Sequence, residues 1–132
     1  LGDTIGAGTP RQSKDILERV LDVIPIDAVA MHMHDTRGTA LANILVGLEL
    51  GIRTFDGSVG GMGGCPYAPG AAGNMATEDL VYMLKRSGFE TGIDLDALIA
   101  TGKWLQETLG RPVPGMLVKA GNFPRPQASQ AA

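Results

Sequence analysis

Apolar positions recur along this chain in two alternating rhythms, one suited to helices and one to short strands. Ile16, Leu17, Val20, Leu21 and Ile24 fall at helical spacing and predict an amphipathic helix. Thr9 is placed to cap its start, Pro10 occupies the first helical position, where a missing N–H is harmless, and Pro25 stops it. The run "DAVAMHMH" predicts a buried strand, and "TALANILVGLELG" a helix with Leu41, Leu45 and Leu48 on one face and Gly51 at its end. "LGDTIGAG" reads as a strand end and loop, and "IRTFDG" as a third short strand. Residues 75–87 predict a helix with Glu78 and Asp79 in the first turn and Lys85 and Arg86 in the last, a charge order that complements the helix dipole. A final helix starts at the N-cap Asp94, with Ile93 and Leu98 spaced as a hydrophobic staple, and runs through Trp104 and Leu105 to Gly110.

Strands alternating with helices over short loops predict an α/β fold with a parallel sheet and helical crossovers. A (β/α)8 barrel and an open doubly wound sheet both satisfy this pattern, and both gather their chemistry at the C-terminal ends of the strands. About three strands are legible, with residues 1–110 as the β/α portion, whereas a barrel needs eight, so both architectures stay open. Residues 111–132 hold little to bury and read as an extended, mobile tail.

Composition narrows the function classes. With 132 residues, 44% of them hydrophobic, the chain can build one core. A net charge of -3 leaves no basic footprint for nucleic acid. No apolar run reaches the roughly 18 residues a membrane helix needs, and "LGDTIGAGTP" lacks the features of a signal peptide. A single cysteine fits a reducing compartment, so the cytoplasm is the expected location. The chain opens on Leu1 rather than Met, already at a strand end, which points to a fragment.

Both histidines lie in "AMHMHDTRG". Residues i and i+2 of a strand point the same way, about 6.5–7 Å apart along it, so His32 and His34 can converge on one ion. Ala30 shares their face, while Val29, Met31 and Met33 lie on the other, against helices. Spacing alone leaves two readings open, a metal site or two histidines capping a strand, and imidazole does not name the metal. Asp35, facing away from the pair, fits an N-cap or a support for a ligand. Arg37 fits a solvated helix start or a contact to an anionic substrate. The glycines of "GGMGGCPYAPG" lack the spacing of a phosphate-cradling loop. Their flexibility suits a loop that closes over substrate and carries Cys65, either as an acid or base or as a small apolar residue. Asn74 reads as a carbonyl ligand for a hard ion or as an N-cap. Asp3 reads as a base, a supporting group or a cap. All of these fall on one rim of the sheet.

Four stretches, "LGDTIGAGTP", "HMHDTRGTALAN", "DGSVGGMGGCPYAPGAAGN" and "ATEDLVYML", resemble the C-terminal half of 3-hydroxy-3-methylglutaryl-CoA (HMG-CoA) lyases, in order from Leu1 to about Leu109. The Cys-Pro-Tyr loop is the specific part of the likeness. Isopropylmalate and homocitrate synthases and pyruvate-dependent aldolases resemble the H-x-H strand and the final A-G-N without that loop. The resemblance implies a (β/α)8 barrel that cleaves HMG-CoA into acetyl-CoA and acetoacetate with a divalent Mg or Mn ion. It implies His32, His34 and Asn74 as metal ligands, Asp3 as an active-site aspartate and Cys65 as the loop cysteine of proton transfer. It also implies a further ligand aspartate, an arginine and a glutamate on early barrel strands that this sequence lacks, so the isolated chain is expected to be inactive. An acyl-CoA substrate, the missing N-terminal half of the barrel and a homo-oligomer are the expected partners, and the mitochondrial matrix the location in a eukaryote. A self-associating non-catalytic half-barrel and a related acyl-CoA lyase or synthase stand as alternatives.

Overall fold

The computed structural model describes residues 1–123 except Cys65, Tyr67 and Pro69. The chain runs β1 (Gly2–Asp3), α1 (Pro10–Leu21), β2 (Ala30–Met33), α2 (Ala40–Glu49), β3 (Thr54–Phe55), α3 (Thr77–Arg86), α4 (Leu95–Leu109) and α5 (Met116–Ala120), with short 3-10 turns at Ile26–Ala28 and Val59–Gly61. The strands form one parallel sheet in the order β1-β2-β3, with Gly2 beside His32, Asp3 beside Met33, Ala30 beside Thr54 and Met31 beside Phe55. Three parallel strands with helical crossovers are the α/β arrangement that the alternation predicts, and the part of a (β/α)8 TIM barrel that the resemblance implies.

Local chemistry fixes the starts of α1 and α4 and the end of α4 as expected, whereas α1 ends at Leu21, short of Pro25. Thr9 and Gln12 form a full capping box on α1, with Pro10 at its first position. Asp94 Oδ1 accepts the Ala97 N–H at 3.0 Å to start α4, and Gly110, at φ 63°, ends it in the left-handed conformation.

The core lies between the sheet and its helices on one side. Met31, Met33, Leu17, Ile44 and Ile52 are almost wholly buried there, joined by Val29, Ala40, Met75 and Leu80. Strand alternation explains the division: odd positions of β2 pack on α1 and α2, while Ala30 and Thr54 on the opposite face stay exposed. Gly47 lets α2 approach closely, since a Cβ there would overlap Met31 Sδ.

Three expectations need correction. The buried face of α2 is Ala40, Asn43, Ile44, Gly47 and Leu48, and Leu45 is exposed. Asn43 turns inward because its amide donates to the Gly8 carbonyl at 3.1 Å, tying α2 to the loop after β1. The stripe of α1 narrows to Leu17, Val20 and Leu21, with Ile16 and Ile24 largely exposed. Residues 111–123 do not trail away: α5 buries Leu117 and Val118, and Leu117 joins Val81, Leu95 and Ile99 in a second apolar cluster. Residues 124–132 of the expected tail lie outside the described residues.

Glu78 and Asp79 occupy the first turn of α3 as expected, and both are buried. Asp79 accepts the Met116 and Leu117 N–H groups at 2.8 Å each, which holds the start of α5. Glu78 Oε2 accepts the Gly60 N–H at 3.0 Å, and Oε1 has no partner among the described residues. Burial without a cation nearby pushes the Glu78 carboxyl above its ordinary value.

Candidate functional site

The site is built on the open face of the sheet, at the C-terminal end of β2. His32 projects there because Met31 and Met33 are claimed by the core, and His34 follows two residues on. The chain returns over this end after the glycine-rich segment. The Met75 N–H donates to the Met33 carbonyl at 2.9 Å, and the Asp35 N–H donates to the Gly73 carbonyl at 3.1 Å. Those bonds set Asn74 opposite His34.

Both imidazoles are held from behind. His34 Nδ1 lies 2.9 Å from the Ala72 carbonyl oxygen, and His32 Nδ1 lies 2.8 and 3.1 Å from the two oxygens of Asp56. A carbonyl and a carboxylate can only accept, so each Nδ1 carries the ring hydrogen. The Nε2 atoms face each other at 3.2 Å, and whenever both rings are neutral neither of them carries a hydrogen. Two lone pairs at that distance repel, and a cation between them, proton or metal ion, turns the contact favourable. The separation also suits two neighbouring ligands of one ion with metal–nitrogen bonds of about 2.1 Å. The residues present thus fit a divalent ion in part: they supply two nitrogen donors. Among the described residues no three His, Cys, Asp or Glu side chains are grouped to hold an ion.

The other expected site residues fall differently. Asn74 joins the cluster, but its amide nitrogen donates to Asp56 Oδ1 at 2.6 Å and sits 3.3 Å from His32 Nδ1. Its oxygen accepts the adjacent Met75 N–H at 2.8 Å, so it does not turn a carbonyl toward the pair. Asp3 is beside Met33 in the register, on the face opposite His32. Its carboxylate accepts the Ala7 and Gly8 N–H groups at 3.1 and 2.8 Å, which folds the loop after β1. Asp3 is thus a loop organiser in this structure. Cys65 lies outside the described residues. Asp35 Oδ1 accepts the Ala40 N–H at 3.0 Å at the start of α2, and Arg37 donates to the Ile5 and Gly6 carbonyls at 3.0 Å each rather than standing free in solvent.

Asp56 was not among the expected residues. It follows β3, and its N–H donates to the Met31 carbonyl at 3.2 Å, so the register carries it to a place beside His32. The signal was an acid at the end of the third strand, on the rim where the histidines end the second.

A groove of about 490 Å³ lies elsewhere, between α1 and the outer edge of β1, lined by Asp3, Ile5, Gln12, Ile16 and Met33 among others. It is a gap beside a strand with no partner on that side among the described residues, and none of the histidine cluster lines it.

The HMGL-like family model matches residues 1–105. The chain belongs to the HMGL-like family. Among its relatives, the hydroxymethylglutaryl-CoA lyase YngG of Bacillus subtilis is 54% identical over 114 residues, 86% of this chain and 38% of that one. The (R)-citramalyl-CoA lyase of Chloroflexus aurantiacus is 50% identical over 121 residues, 92% of this chain and 38% of that one. An HMG-CoA lyase from Acinetobacter baumannii, solved with coenzyme A and 3-methylmalate, superposes with a TM-score of 0.91 at 46% identity, over 97% of this chain and 42% of that one. This HMGL-like chain spans about two fifths of the length of the relatives it matches. The structural neighbours are TIM barrels, of which it forms part. Family membership is as expected, whereas these matches do not carry the narrower expectation that the segment is the C-terminal half of such an enzyme. No helix among the described residues is long and apolar enough to cross a membrane.

Proposed function

We propose that this chain supplies part of the active site of a metal-dependent carbon–carbon lyase that cleaves HMG-CoA into acetyl-CoA and acetoacetate. The observation that carries the reading is the pair of bare Nε2 atoms on His32 and His34, fixed from behind and facing each other at 3.2 Å. Membership of the HMGL-like family, with relatives that are acyl-CoA lyases, supports the reaction class.

His32 and His34 would hold the divalent ion, Mg or Mn, and Asn74, beside them, would join the set only by releasing its oxygen from the Met75 N–H. A divalent ion held there would supply Lewis-acid polarisation of the substrate's oxygens. A base takes the hydroxyl proton, the electron pair of the C2–C3 bond passes into the thioester as an enolate, and acetoacetate leaves as the ketone. Cys65 returns a proton to the enolate carbon, a role that rests on the family resemblance. Asp3 serves by shaping the loop after β1, since its oxygens are committed to backbone N–H groups on the opposite face. The remaining strands of a barrel cover the exposed face of Ala30 and Thr54 and complete the ligand set.

The test is acetyl-CoA release by the complete barrel containing this chain, with Mn or Mg added and removed. Metal-dependent cleavage that His32→Ala and His34→Ala abolish is expected. A folded barrel that binds HMG-CoA without cleaving it would overturn the assignment. The 50% identity to a citramalyl-CoA lyase favours one second reading, a different 3-hydroxyacyl-CoA substrate, and turnover of the two thioesters side by side decides between them.

A further inference from the structure

We infer that Asp56 is the residue that positions the metal-binding edge of this site, holding His32 and Asn74 at once through a single carboxylate. The inference rests on the reading of His32 and His34 as ligands. It concerns what makes them competent.

The two histidines are supported unequally. His34 has a neutral backbone carbonyl behind it, from Ala72, whereas His32 has a carboxylate with both oxygens within 3.1 Å of its Nδ1. An anionic acceptor pulls more strongly on the Nδ1 hydrogen, fixes the tautomer that leaves Nε2 free and makes that nitrogen a better donor. The same Asp56 Oδ1 takes the Asn74 amide at 2.6 Å. Asn74 comes from the segment after the glycine-rich loop and His32 from β2, so Asp56 joins the two pieces of chain that bring donors to the cluster. Its own place is secured by the backbone, through the N–H bond to the Met31 carbonyl that continues the β2–β3 register. Its side chain is 61% exposed and takes no part in the apolar core, so its role lies in the hydrogen bonds it makes.

The experiment uses the complete barrel carrying Asp56→Ala and Asp56→Asn, with His32→Ala as the control. Mn²⁺ affinity is measured by calorimetry, and the tautomer of His32 is read from long-range ¹H–¹⁵N spectra of the metal-free protein at a pH where the ring is neutral. Asp56→Ala is expected to weaken Mn²⁺ binding by roughly tenfold to a hundredfold. Asp56→Asn, which keeps an acceptor without the charge, is expected to restore part of that loss. The His32 spectrum moves from the Nδ1–H tautomer toward the Nε2–H tautomer in the alanine variant only. A merely structural role would not shift the tautomer. Asp56→Ala binding Mn²⁺ as tightly as the parent, while His32→Ala has lost it, would overturn the role of Asp56 and leave the two-histidine site standing. If His32→Ala also binds Mn²⁺ like the parent, the site reading fails and this inference with it.

Discussion

Gly115 lies directly against the buried carboxyl of Glu78, so close that a Cβ at position 115 would overlap Oε1. The same glycine donates its N–H to the Gly60 carbonyl at 2.9 Å, while Glu78 accepts the Gly60 N–H at 3.0 Å. Both backbone polar groups of Gly60, at the start of the glycine-rich segment, are thus held, the N–H by α3 and the carbonyl by the approach to α5. Gly115→Ala would have to break the Glu78 bond or displace the segment. The expected loss is about 1–3 kcal/mol in urea unfolding, the range for overpacking a tight interior. Backbone strain is not the cause, because φ at Gly115 is -52°.

Glu78 also gives the fold a pH signature. Burial raises its pKa above the ordinary 4.5, so the native state holds this proton more tightly than the unfolded chain does. Its effect on stability is therefore favourable below the ordinary value and lost as pH rises through the raised one. Glu78→Gln keeps an acceptor for the Gly60 N–H and removes the ionisation. Unfolding free energy measured from pH 5 upward should fall less steeply for the glutamine variant than for the parent. Parallel curves would mean that Glu78 does not carry the slope.

Asp79 docks the C-terminal helix. Its two oxygens accept the first N–H groups of α5, at Met116 and Leu117, with the added benefit of an anion at N–H groups that lack helical partners. Asp79→Ala leaves those donors unpaired and should destabilise the chain by about 1–3 kcal/mol. Amide exchange should accelerate at Met116 to Val118 before it does in the Met31 and Met33 core.

The histidine pair makes an asymmetric prediction about stability. Without a divalent ion, bare Nε2 atoms at 3.2 Å oppose each other, so His34→Ala should leave the melting temperature of the metal-free protein unchanged or raise it. With Mn²⁺ present the order reverses, because an ion that binds only the native state stabilises the parent and not the variant. Melting curves with and without Mn²⁺ read both effects.

What the sequence showed plainly was what neighbours in the chain decide among themselves. Thr9 with Pro10, Asp94 and Gly110 act within a turn of their own helix, and the shared face of His32 and His34 follows from strand geometry alone. What it hid depends on register or on distant partners. Asp56 reaches His32 only because β3 pairs with β2 one way and not a residue along. Glu78 and Asp79 read as first-turn acids that complement the helix dipole, and their hydrogen-bond partners, 18 to 38 positions away, were out of sight. Asn43 outcompeted Leu45 for the interior because a carbonyl of the first loop was waiting there. A hydrophobicity count does not register that bond.

The alternation along β2 separates two kinds of selection within four residues. Met31 and Met33 answer only to the helices that cover them, and their replacement is judged by how the protein folds. Ala30 and His32, interleaved with them, lie outside that packing, so their replacement is judged by what the site does. Interior and chemistry thus occupy alternate residues of one strand and can be altered separately. Relatives acting on different acyl-CoA thioesters at half the sequence in common are what such a division would allow.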